Sequence, residues 1–114
     1  MDRQFPATYR AGVLNSVSVL VLPELAVFEF GVLTEVFGLD RSDDGLPVFD
    51  FKVCGPQAGV PVSTSGGIDV TPHHGLDALA GADLVAVGAT RLREFPPEAL
   101  EALRAAAARG ATIL

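Results

Sequence analysis

Glu29 stands between two phenylalanines in VFEFGVLTEVFG, residues 27–38. A carboxylate in such a stretch is solvated, satisfies backbone N–H groups, or does chemistry. At 3.6 residues per turn, Glu29 falls in the middle of an apolar stripe with Val32, Leu33, Val36 and Phe37. Glu35 falls on the polar side, beside Gly31 and Thr34, and reads as a solvated residue. The wheel therefore points Glu29 toward a sheet, at a helix start just past a buried strand. There an apolar surface favours the neutral acid and the helix N-terminus favours the anion. A carboxyl held between those pulls suits proton transfer. The alternative is a first-turn glutamate that only satisfies backbone N–H groups.

Other candidates are weaker. Cys54 is the one cysteine, which excludes a disulfide framework and cysteine-cluster metal sites. A lone cysteine reads as a small core residue. His73 and His74 are adjacent, so an extended backbone sends them to opposite faces. No third ligand has suitable spacing, and no metal site is expected. STSGG, residues 63–67, lacks the lysine and following helix of a phosphate loop and reads as a turn. Arg91 and Arg93 read as solvated loop charges, or as contacts for an anion at a site mouth.

Charge and composition narrow the class. The chain has 114 residues, 49% of them hydrophobic, and a net charge of −6, which fits one folded domain. With no basic stripe, nucleic-acid binding by this segment itself is not expected. MDRQFPATYRAG at the start has no apolar core of a secretory signal. Pro23, Glu24 and Glu29 interrupt the most apolar run before it reaches a membrane-spanning length of ~20 residues. A cytoplasmic protein without a membrane partner or a cofactor is expected.

The elements that must position Glu29 follow from periodicity. Residues 1–14 read as a polar leader. SVSVLVL, 16–22, is continuously apolar, as a central parallel strand covered on both faces would be. A helix over about 29–38 ends at Gly38. VFDFKVCGP, 48–56, alternates, with Phe49, Phe51 and Val53 on one face, and suits a near-edge strand. VSTSGG and IDVTP suggest hairpin arms, GLDALAG one helical turn, and ADLVAVG, 82–88, a second buried strand. PPEALEALRAAAARG is a helix with Pro at its start and Gly110 just beyond it, its inner stripe Leu100, Leu103 and Ala107. ATIL starts a further strand. The order implies an α/β layered domain with a mainly parallel sheet over 15–114. A strand that begins at the last residues suggests the N-terminal piece of something longer.

SVLVLPELAVFEFGVLTEVFG, VCGP, VSTSGGIDVTPHHGLDAL, ADLVAVGAT and EALRAAAARGATIL, taken in series over about 15–114, resemble the ThiJ/PfpI superfamily. They are most similar to its branch that forms the N-terminal sensor half of AraC-type transcriptional regulators. The resemblance implies a flavodoxin-like three-layer sandwich with a glutamine-amidotransferase-like site, incomplete here at its C-terminus. In it an acid at the start of the first helix assists a cysteine on a strand-to-helix elbow. Glu29 matches the acid. The elbow would follow the strand that ATIL begins, so the nucleophile position lies beyond Leu114. Cys54 matches a non-catalytic position. Gly88 and Ala89 fall where the family has an oxyanion-type loop, although Val87 and Ala89 replace its common proline and second glycine or threonine.

Three functions follow. The first is a ligand-sensing or dimerisation part of a regulator. A small metabolite and a second copy would be its partners, and DNA would be reached only through a C-terminal helix-turn-helix domain. The second is part of a cysteine enzyme, such as an isocyanide hydratase, amidase or glyoxalase-like protein. The third is an inert structural or dimerisation segment. No catalysis or DNA binding is expected of residues 1–114 alone.

Overall fold

The structure, a computed structural model, describes residues 14–114. Residues 1–13 of the polar leader lie outside the described residues. The chain runs β1 (Ser16–Leu20), α1 (Val27–Leu33), β2 (Asp50–Cys54), β3 (Val62–Ser63), β4 (Asp69–Val70), β5 (Leu84–Val87), α2 (Pro97–Ala108) and β6 (Thr112–Ile113). Short 3-10 turns at Ser42–Asp44 and Leu76–Leu79 punctuate it.

Val17, Val19, Leu20, Val21 and Leu22 have no exposed surface. Their run leaves no polar face to turn to water, so the strand goes to the middle of the sheet. The order is β2-β1-β5-β6, with every neighbouring pair parallel. β2 is an edge strand, as its alternation leads one to expect. Phe51 and Val53 pack inward, while Lys52 reaches Asp50 at 2.8 Å. β3 and β4 form a separate antiparallel hairpin.

Two apolar clusters cover the two sheet faces. Leu20, Leu22, Cys54 and Val85 pack with Leu79 and with Ala99 and Ala106 of α2. Val19, Val21 and Ala86 pack with Leu25 and Val62, flanked by Phe30 and Leu33 of α1. This is the expected α/β sandwich in three layers. The inner stripe of α2 differs from expectation. Ala99 and Ala106 are fully buried, with Ala102 and Leu103 beside them, whereas Leu100 is 37% exposed and Ala107 is exposed. Small residues let α2 lie close to the sheet, and close approach outweighs the preference for burying the larger side chain.

The first helix also departs from regularity. After Leu33 the backbone winds as a π-helix over Thr34–Gly38. The Thr34 hydroxyl donates to Phe30 O at 3.0 Å, a bond back along the helix that accompanies such distortions. The wider turn places Phe37 edge-on to Phe49, ring centroids 5.3 Å apart. Among the described residues no helix is long and apolar enough to cross a membrane.

One carboxylate ties the amino end of β1 to β5. Asp83 Oδ2 accepts N–H bonds from Asn15 at 2.9 Å and Ser16 at 3.0 Å. The Ser16 and Asn15 N–H groups hold the Asp83 carboxyl below its ordinary range. Because folding lowers this pKa, the group stabilises the fold fully above the ordinary value of 3.8 and ceases to do so as pH falls through the lowered one. Asp83→Ala is expected to lower the urea midpoint at neutral pH. The gap to the parent chain should close in strong acid. A gap of equal size at both pH values would refute the assignment.

Candidate functional site

A groove of about 420 Å³ opens where α1 meets the carboxyl end of β5. Phe28, Glu29, Val32 and Leu33 form one wall, and Ala86, Val87, Ala89 and Leu114 the other. Its place follows from topology. The chain leaves β1 toward β2 on one side, while β5 lies on the other. The switch between them opens a crevice at the strand ends, where ligands bind in open α/β sheets.

Glu29 lies on this groove but not at the centre of the inner face, as the helical wheel suggests. Phe30 and Leu33 take that centre, against Val19, Val21 and Ala86. Glu29 sits on the flank and is exposed, and Val32 and Val36 are 45% and 57% exposed. The wheel assigns the face by the commonest apolar spacing. The structure chooses the ring of Phe30, whose larger area dominates burial. Glu35 is solvated, as expected, with Arg41 at 3.4 Å.

The loops that place α1 are clamped from both sides. Leu25 N–H donates to Ser63 O, and Ser65 N–H to Leu25 O, both at 3.0 Å. Ala26 N–H donates to Ala89 O at 2.8 Å, and the Thr90 hydroxyl to Pro23 O at 2.6 Å. Between these anchors Glu24 adopts φ 61°, the left-handed region. Its N–H donates to Ser63 Oγ, and its carbonyl accepts from Arg91 N–H. STSGG is thus a turn, as expected, and one that holds the β1–α1 connection.

Gly88 and Ala89 have different positions here. Gly88 N–H donates to Leu20 O at 2.8 Å, so β1 has taken that donor. The glycine serves close packing. A Cβ at 88 would stand 2.7 Å from Leu25 Cδ1 and 3.3 Å from Leu20 O. Ala89 lines the groove, and its N–H has no partner among the described residues. Of the two amides, it is the one that remains to meet an oxygen.

Cys54 lies on the other sheet face, in the cluster with Leu20 and Leu22. It is fully buried, and burial, helped by Asp77, pushes its thiol up to about 12. It is a core residue, as the sequence suggests. Arg91 and Arg93 are exposed and do not line the groove. Among the described residues no group of three or more His, Cys, Asp or Glu side chains could hold a metal ion.

His73 and His74 carry a feature that residue spacing misses. Both line a second cavity, of about 300 Å³, together with Phe30, Phe51 and Lys52. A strict alternation of faces does not describe residues 71–74, which form no regular strand. The paired basic residues after VTP are the signal in the sequence that could have marked it.

No family model and no curated protein matches the chain. Among solved structures it is similar to one described as the crystal structure of an AraC family transcriptional regulator from Pseudomonas putida. The TM-score is 0.68 at 24% identity, over 87% of this chain and 54% of that one. The chain thus spans about half the length of that structure. The likeness shows the fold.

Two substitutions test the clamp. Gly88→Ala should cost about 1–3 kcal/mol, as overpacking does, because neither Leu25 nor a strand carbonyl can yield freely. Glu24→Gly relieves a left-handed residue, a gain of about 1–2 kcal/mol. It gives back about 0.5–1 kcal/mol of chain entropy. A net rise in stability is expected. Denaturant midpoints measure both, and a destabilised Glu24→Gly would show that the Glu24 side chain holds the turn.

Proposed function

We propose that this chain is the ligand-sensing part of a transcriptional regulator of the AraC type, with a ThiJ/PfpI-like, amidotransferase-related sandwich as the sensor. The observation that carries this reading is the groove. It is apolar, it opens at the strand ends, and among the described residues that line it Glu29 carries the one ionisable side chain. A carboxylate on an apolar wall recognises a hydrogen-bond donor attached to an apolar body, because only a donor satisfies it. The similarity in fold to a protein described as an AraC family regulator supports the regulatory setting.

In this reading the metabolite is a small primary amide or amine. Its N–H groups meet Glu29 and its hydrocarbon part lies on Val32, Leu33 and Ala86. A carbonyl oxygen would meet the Ala89 N–H. Glu29 binds here and performs no covalent step, and DNA is contacted by a separate part of the protein. The exposed rings and methyls of α1 and of the π-helical turn after it, with Phe28 79% and Val36 57% exposed, support association between copies.

The test uses butyramide, butylamine and butyrate in thermal-shift and NMR titrations of the purified chain. Amide or amine should bind, with amide-resonance changes at residues 28–33 and 86–89, and butyrate should not. Glu29→Gln should weaken the response by about tenfold, the worth of one charge-assisted hydrogen bond. An unchanged response in Glu29→Gln removes Glu29 from recognition. Sequence-specific retardation of duplex DNA by this chain alone would remove the division of labour.

A further inference from the structure

The second cavity lies on the β2 side of α1, away from the Glu29 groove. Its volume, about 300 Å³, is enough for one aromatic ring and a polar head. Two phenylalanines, Phe30 from α1 and Phe51 from β2, supply apolar wall together with Val70 from β4. Lys52, His73 and His74, with Thr71, supply the polar wall, and among the described residues no Asp or Glu lines it. In a chain with 14 Asp and Glu against 8 Lys and Arg and 2 His, that is a local departure from the acidic balance.

Lys52 is already bonded to Asp50 at 2.8 Å. An ammonium has three donors, so that contact leaves others for a ligand. Asp50 is exposed on the edge strand, and its bond holds the lysine in one place. His74 is fixed through its backbone, since its carbonyl accepts Gly55 N–H at 3.0 Å. Gly55 itself is packed against Pro72, where a Cβ would stand 2.7 Å from Pro72 Cγ. The basic wall is thus held by the main chain and by a tight glycine contact.

We propose that this cavity binds a small aryl carboxylate, its ring against Phe30, Phe51 and Val70 and its carboxylate toward Lys52, His73 and His74. The rings set the size and flatness of the guest. The basic wall sets its charge: Lys52 shares its ammonium with Asp50, and the two imidazoles add donors beside it. The site stands apart from the Glu29 groove and does not depend on the regulatory reading.

The probes are benzoate, benzyl alcohol and benzylamine, titrated into the purified chain at fixed slightly acidic pH and followed by NMR. Benzoate should saturate, with changes at residues 51–53 and 70–74 and none at Ala86, Val87 or Ala89. Benzyl alcohol should bind about tenfold more weakly, since it lacks one charge-assisted contact. Benzylamine should not bind. Lys52→Met and His73→Gln should each weaken benzoate severalfold while leaving the benzyl alcohol response unchanged. Both positions keep solvent exposure, so neither variant threatens the fold. Equal binding of all three probes, failure of benzoate to saturate, or changes confined to the Glu29 groove would overturn the proposal.

Discussion

Complete burial of Val17, Val19, Leu20, Val21 and Leu22 takes the backbone of this segment out of water. Its N–H and C=O groups must then find partners inside the molecule, because an unpaired buried amide costs about 1–3 kcal/mol. β2 and β5 supply most of them. Beyond the strand the same demand continues. Val21 N–H goes to Cys54 O, and Leu20 O takes Gly88 N–H. The Ser18 hydroxyl, also buried, donates to Ala78 O at 2.9 Å. The positions of Cys54, Ala78 and Gly88 are thus answers to what β1 requires.

The candidate site inherits its geometry from these answers. Gly88 must come close to β1, so the residue after it, Ala89, is brought beside the start of α1. Ala89 O then receives Ala26 N–H, which sets where the helix begins. Glu29 stands three residues further on, at the rim of the crevice. The left-handed turn at Glu24 is the local strain that this route demands, held by hydrogen bonds on both sides.

Most of the sheet was legible because its signals are local. The continuous run of β1, the alternation of β2, and the prolines and glycine around α2 each leave a pattern that tertiary contacts do not overturn. The choice of helix face was not legible. Glu29, Val32 and Val36 share a stripe by period, but Phe30 carries more apolar area and turns the helix toward itself. The alanine face of α2 hides for a related reason, since close approach depends on the partner surface. The π turn at Thr34–Gly38 leaves only Thr34 as a clue. The role of Glu29 is not legible from periodicity; only the resemblance noted in its sequence implies an acidic site position for it. The cavity at His73 and His74 was missed because it joins residues from α1, β2 and the segment after β4. Contacts between distant segments leave no spacing to read.

The central place of β1 also bears on how the molecule comes to be folded. Ser16 N–H waits for Asp83, 67 residues later in the chain. Both strands that cover its edges are parallel, and parallel neighbours require long crossovers. Such non-local pairing slows folding. During that interval SVSVLVL is a β-prone, uncharged, proline-free run with both edges open, the composition that favours pairing between chains. Pro23 and Glu24 follow it directly. Breaker and charge together act as a gatekeeper that keeps an intermolecular strand from growing past Leu22. The strained turn that positions α1 in the finished fold thereby guards the most aggregation-prone segment before the fold exists.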